Sequence, residues 1–206
     1  MAVPHSSGHR PAPLNKAIIY EGYGAKPGQV RFVRESASGR LTIVAIGEPA
    51  EAPGVARQLV DEGAELIELC GALSPAWKPK ISEEIGYRAL VSSITYGIES
   101  LVMGAAFSSA YGEGKPPREA FIILESDSDP VRDRFEQAFA PQHTTFIPVP
   151  DEATGSLIAA ELATSGYGLI ELYGGFSAAG AAAVLEAVEG RVAVGIGSFT
   201  LDAVRR

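Results

Sequence analysis

Residues 66–69 and 169–172 both spell Leu-Ile-Glu-Leu, and sliding the chain by their separation of 103 positions aligns its two halves without a gap from Lys16 to about Leu101. Ala17 falls on Ala120, Ile19 on Ile122, Pro27 on Pro130, Leu59 on Leu162, Gly63 on Gly166, Gly71 on Gly174, Ser74 on Ser177 and Arg88 on Arg191. Such self-similarity outranks local signals, because a fold that buries the apolar positions of one copy must bury those of the other in the same way. The expected organisation is a disordered tail over 1–15, a first repeat over 16–103, a linker over 104–118 and a second repeat over 119–206.

Each copy alternates strands and helices. A short apolar strand (17–21, 120–125) leads to a Pro-started polar helix (27–35, 130–139) and a second strand (41–46, 144–149). An Ala/Leu-rich helix (54–63, 155–166) follows, closed by Gly63 or Gly166 in the position of a C-terminal cap. The Leu-Ile-Glu-Leu strand, a third helix (79–86, 178–190) and a fourth strand (87–97, 191–199) complete the unit. This spacing predicts a mostly parallel sheet, and the near-continuous apolar strands agree, since parallel strands are covered on both faces. The expected fold class is α/β, with two βαβαβαβ repeats related by a pseudo-twofold axis. They would form either a small (βα)8-type barrel, slightly favoured, or two open four-stranded α/β domains. In the barrel, 97–114 supplies the fourth helix and 200–206 a stunted eighth.

A net charge of −8 with scattered Lys and Arg argues against nucleic acid, which asks for a basic face. Cys70 is the only cysteine, so neither an internal disulfide nor a cysteine-based zinc site can form, which fits a reducing compartment. The Pro-, Ser- and His-rich start has no apolar core of a signal peptide. No run approaches the ~20 apolar residues that span a bilayer. A cytoplasmic protein is expected. His5 and His9 lie in the tail and His143 in a loop, far from ligand spacing. No phosphate loop, dinucleotide fingerprint or Gly-x-Ser-x-Gly elbow occurs either. Neither metal nor cofactor is therefore expected.

Glu68 and Glu171 are the chemically informative residues, since a carboxylate inside an apolar strand is costly unless paired, hydrogen-bonded or used. Side chains alternate along a strand, so Leu66, Glu68 and Cys70 share one face. Facing a barrel interior, Glu68 would have its pKa raised into the range of a general acid or base. The competing role is structural, capping a helix or pairing with the repeated Arg88 and Arg191. Cys70, with no nearby histidine in sequence, reads as a small buried apolar residue. The halves diverge after Ser74, where Trp77 and Lys78 stand against an Ala/Gly-rich counterpart and suit a planar, aromatic or anionic ligand. Ser93 and Tyr96 make the fourth strand of the first half the more polar one, and Tyr173 adds a hydroxyl. The turn carrying Gly174, Gly175 and Ser177 offers backbone N–H groups to an anion at a helix start.

The stretch 62–75 resembles phosphate-binding (βα)8 barrels such as the α subunit of tryptophan synthase, where a strand of this pattern ends in a catalytic glutamate and a Pro-containing loop follows. That resemblance implies an acid/base role for Glu68 and, through the repeat, for Glu171. The whole repeat is similar to short bacterial α/β proteins carrying Leu-Ile-Glu-Leu, a cysteine and a Gly-Gly-Phe turn, which implies a tandem fusion of two such units. Cys70 and Tyr173 stand between Leu and Gly of the motif.

Taken together, the sequence points to a small-molecule enzyme of carboxylate acid/base chemistry: an isomerase, lyase or carbon–carbon bond-forming cyclase of specialised metabolism. Glu68, Glu171 and Tyr96 would be catalytic. Trp77, Lys78, Ser93, Tyr173, Gly174, Gly175 and Ser177 would bind an aromatic or anionic substrate. The alternative is a non-catalytic ligand-binding or scaffold protein, and a homodimer is compatible with either.

Overall fold

The structure, a computed structural model, describes residues 13–27 and 30–199. Residues 1–12 of the tail expected over 1–15 and the stunted helix expected at 200–206 lie outside the described residues. The first repeat contributes β1 (Lys16–Glu21), β2 (Arg31–Ser36), β3 (Gly39–Ile46), α1 (Ala52–Asp61), β4 (Leu66–Leu69), α2 (Trp77–Glu84) and β5 (Leu90–Tyr96). A helix α3 (Leu101–Gly112) leads into the second repeat. This holds β6 (Arg118–Leu124), β7 (Phe135–Phe139), β8 (Gln142–Val149), α4 (Glu152–Thr164), β9 (Tyr167–Tyr173), α5 (Ala178–Val188) and β10 (Ala193–Ser198).

The α/β class and the two-repeat architecture are those expected, and the sheet takes a form between the two alternatives. All ten strands join one curled sheet in the order β2-β3-β1-β4-β5-β10-β9-β6-β8-β7. Within each repeat β1, β3, β4 and β5, or β6, β8, β9 and β10, run parallel. The repeats meet where β5 pairs antiparallel with β10, Tyr96 opposite Gly195, on the pseudo-twofold axis. The curl brings the edge strands β2 and β7 to face each other through side chains: Phe32 stacks on Phe135 at 4.3 Å between ring centroids, and Arg34 pairs with Asp133 at 2.8 Å. Phe32→Ala is expected to lower stability by about 2 kcal/mol through loss of this stacked pair, a value readable from urea denaturation.

The segments read as Pro-started helices are a correction, since β2 and β7 are strands in antiparallel hairpins with β3 and β8. Exposure alternates residue by residue along β2, with Phe32 turned in and Arg31 and Val33 turned out. Aromatic and β-branched residues at period two favour a pleated, half-covered surface, and this outweighs the helix-start signal of Pro27. The helix in 97–114 does form, as α3. It lies over β9 and β10 with none of its own residues fully buried.

Alternation sorts the core into two layers. In the second repeat Ala120, Ile122, Ile170, Leu172 and Val194 pack beneath Ala159, Leu162, Val184 and Val188 of α4 and α5. The opposite face carries Phe121, Ile123, Phe146 and Tyr173, which join the core of the first repeat. Tyr20 of β1 meets Phe146 at 5.2 Å and Phe121 at 5.9 Å there, both edge-on. The inner faces of the two repeats therefore share one aromatic interior. No described helix is long and apolar enough to cross a membrane.

Candidate active site

Glu68 and Glu171 sit on that inner face, in register with Ile18 and Phe121. Each carboxylate reaches into the other repeat. Glu171 Oε1 accepts the Gly71 N–H at 2.9 Å, and Glu68 Oε2 accepts the Gly174 N–H at 2.9 Å. Because Gly71 and Gly174 are equivalent in the repeat, the two bonds form a reciprocal clasp across the pseudo-twofold axis. Burial pushes both carboxyls up to about 7, against the pull of these N–H donors. Arg88 and Arg191 are not their partners: they pair outside with Asp61 and Glu189. Gly71 leaves no room for a side chain, since a Cβ there would come within 2.5 Å of both Glu171 Oε1 and Tyr96 Oη. At Gly174, φ is +83° and a Cβ would lie 2.5 Å from the Leu124 carbonyl oxygen. Both amides reach a buried carboxylate only because these residues are glycines.

The two halves part company around the clasp. Tyr173 occupies the position that Cys70 holds in the first repeat, packs on Phe121 at 4.9 Å and donates its hydroxyl to Glu171 Oε2. Tyr96, opposite Gly195, donates to Glu171 Oε1 at 2.6 Å. Among the described residues Glu171 thus holds three donors and Glu68 one. Where Tyr173 fills space, the smaller Cys70 leaves it, and a cavity of about 520 Å³ opens between Cys70, Tyr96, Phe121, Glu171 and Glu119. Its roof comes from α3, through Leu101, Ala105, Phe107 and Tyr111. Burial and the neighbouring Glu171 carboxylate push the Cys70 thiol up, so it stays protonated.

Glu119, at the start of β6, is the second buried acid of the cavity. Its Oε1 accepts from Gln142 Nε2 at 2.8 Å and from Thr144 Oγ1 at 2.5 Å, while Oε2 takes no hydrogen bond from any described residue. Burial raises its pKa, and burial raises that of Glu21 at the cavity's edge. Gln142 also donates to the Glu21 carbonyl and accepts from Tyr23 N–H, tying the end of β1 to the second repeat. No described lining residue is Lys, Arg or His. Among the described residues no three acidic, histidine or cysteine side chains are arranged to hold a metal ion.

Of the residues singled out from sequence, Glu171, Tyr96 and Tyr173 come together at this cavity. Glu68 and Gly174 form the other half of the clasp and do not line it. Trp77, Lys78 and Ser93 lie on the far side of the sheet. Tyr96 faces inward at its pairing with Gly195, so Ser93, three residues earlier on the same strand, faces the helix layer. There Lys78 donates to the Ser198 carbonyl at 2.9 Å, Ser198 donates to the Ser93 carbonyl at 3.0 Å, and Trp77 stacks under Lys80. The turn over 174–177 is also spoken for. Ser177 caps α5 by accepting from Gly180 N–H, and its own N–H and hydroxyl donate to Glu152. The carboxylate at that helix start is the chain's own. Gly175, beside it, has φ +88° and makes the turn.

Glu119, Glu21 and Gln142 escaped the sequence reading. The available signal was a substitution inside the repeat: Glu119 falls on Lys16 at the shared offset.

Fold and site together define a duplicated α/β protein whose repeats enclose an acid-lined cavity. The model of a family of unknown function, DUF6506, matches residues 14–109 and again 117–205, and the chain belongs to that family as a tandem pair of its units. No curated protein matches it. Among solved structures, a carbohydrate transporter from Acidothermus cellulolyticus 11B in complex with myo-inositol is similar over 89% of this chain and 74% of its own, with 14% identity and a TM-score of 0.30. An ABC domain from Streptococcus pneumonia in complex with L-Trp is similar over 86% of this chain and 72% of its own, with 10% identity and a TM-score of 0.27. Likenesses this weak carry no argument about fold or ligand.

Proposed function

We propose that the protein is a small-molecule enzyme that moves protons by carboxylate chemistry, as an isomerase, lyase or carbon–carbon bond-forming cyclase. The observation that carries this reading is the asymmetry of a symmetric scaffold: the described cavity is lined by Glu171 and not by its repeat mate Glu68. A cavity of this size is typical of sites for small ligands, and its walls are apolar with a few convergent polar groups. Glu119 is the base in this scheme. One of its oxygens is anchored by Gln142 and Thr144 and the other takes no hydrogen bond from any described residue, which is the arrangement a general base needs, and burial raises its pKa, which strengthens it as a base. Glu171 and Tyr96 position the substrate, with the Tyr96 hydroxyl fixed by its bond to Glu171 and kept protonated by burial. The likeness of the Glu68 strand to the catalytic strand of phosphate-binding barrels does not support the scheme, because Glu68 lines no part of the cavity.

The alternative, a non-catalytic ligand-binding or scaffold protein, is favoured by the clasp itself, in which both duplicated glutamates serve backbone amides. Incubating the protein in deuterated water with a pool of small metabolites separates the two. Deuterium should appear at a carbon of at least one compound, and Glu119→Gln should reduce that exchange by about a hundredfold or more while its melting profile stays near wild type. Ligand binding without any exchange would leave only the binding-protein reading.

A further inference from the structure

We propose that the cavity takes an organic cation: a protonated amine carried on a small apolar body. This rests on the cavity being the protein's ligand site, as argued above. Lys16 and Glu119 are the same position in the two repeats, so the repeats differ there by a reversal of charge. In the first repeat the buried Lys16 amine pairs with Glu125 at 3.1 Å, bonds the Leu124 carbonyl at 3.0 Å and draws the Glu68 carboxyl down. In the second, Glu119 takes the lysine's place and its charge pushes the Glu171 carboxyl up. One interior has its cation built in. The other has a carboxylate where the cation would be, and space beside it.

Glu119 is only 6% exposed, lines the cavity and leaves Oε2 without a partner among the described residues. Glu21 and Glu171 line the same space. The charges of Glu21 and Glu119 both act on the Tyr111 hydroxyl, so they converge on one region. An arriving ammonium group satisfies the free oxygen and relieves the repulsion between the Glu119 and Glu171 carboxylates. An anion would add to that repulsion, and a neutral group would leave it in place. Phe107 and Phe121 also line the cavity, and an aromatic ring offers a cation an attraction that a neutral or anionic group lacks.

Three ligands sharing one body test the inference: phenethylamine, phenethyl alcohol and phenylpropionate, each titrated calorimetrically into the full-length protein. Phenethylamine should bind about tenfold or more tighter than the alcohol, the range of a hydrogen bond to a charged group, and phenylpropionate should not compete. Glu119→Gln should remove most of that preference, weakening the amine far more than the alcohol. Should this variant fail to fold, Glu21→Gln, which removes a charge from a side chain that makes no hydrogen bond or ion pair with any described residue, provides the same comparison. Equal affinity for amine and alcohol, or tighter binding of the carboxylate, overturns the inference. Amine preference with no deuterium exchange at any carbon would sink the enzyme reading and leave the cation site standing. Exchange on neutral compounds with no amine preference would do the reverse.

Discussion

Glu171→Ala is expected to lower the free energy of unfolding by about 4 kcal/mol and Glu68→Ala by about 2, because the two carboxylates hold different numbers of donors. Truncating Glu171 strands the Gly71 N–H and the hydroxyls of Tyr96 and Tyr173 together, and Tyr173 is sealed from water. Truncating Glu68 strands the Gly174 N–H alone. A buried donor without an acceptor costs its desolvation, and each truncation adds a void at the seam between the repeats. Glu68→Gln keeps an oxygen for Gly174 and is expected to cost less than about 1 kcal/mol. Urea denaturation of the four proteins reads these differences directly. Equal costs for the two alanine variants would mean that Tyr96 and Tyr173 do not depend on Glu171.

Stability is expected to fall as pH rises from about 5 to 8, the reverse of what surface acids produce. Glu68 and Glu171 have pKa values of about 7 in the folded protein against an ordinary 4.5 unfolded. A group shifted upward binds its proton more tightly when folded, so its contribution is complete below the unfolded value and is lost as pH rises through the folded one. Each shift amounts to a contribution on the order of 3 kcal/mol. The acids with lowered pKa act elsewhere: Asp133 beside Arg132, and Asp151 accepting the Thr154 N–H, lose their contribution only as pH falls below the carboxylate range. The two windows leave a stability maximum near pH 4. Melting temperatures across pH 2 to 9 should trace it, and the double variant Glu68→Gln, Glu171→Gln should flatten the alkaline limb while keeping the acid one. A wild-type curve that rises toward pH 8 would mean the two glutamates are ionised throughout.

Much of this was legible in the chain because duplication writes the same constraint twice. The offset of 103 positions gave the repeat, the parallel strands and the burial of Glu68 and Glu171. What it could not give was the partner of each carboxylate. Arg88 and Arg191 were the visible candidates, but the acceptors serve backbone N–H groups, which leave no trace beyond Gly71 and Gly174. The hairpins over β2 and β7 were misread because a Pro start and charged residues mimic a helix in so short a segment, while Phe32 and Phe135 answer to a contact a hundred residues away. Trp77 and Lys78 drew attention by being unlike their repeat mates, yet the parity of β5 puts their neighbours on the opposite face from Tyr96. The charge reversal from Lys16 to Glu119 was equally visible and more informative, since it changes what the interior must neutralise.

The account stands on the two glutamates being equivalent as clasps and unequal as site residues, and carboxyl carbon NMR tests this most directly. With glutamate labelled and Glu68, Glu119 and Glu171 assigned by Gln variants, the protein is titrated with pH before and after phenethylamine is added. The account predicts that Glu68 and Glu171 both titrate near 7 in the free protein, that the amine lowers the values of Glu171 and Glu119, and that Glu68 does not move. If Glu68 responds to the amine as strongly as Glu171, or if neither titrates above the ordinary carboxylate range, the account is wrong.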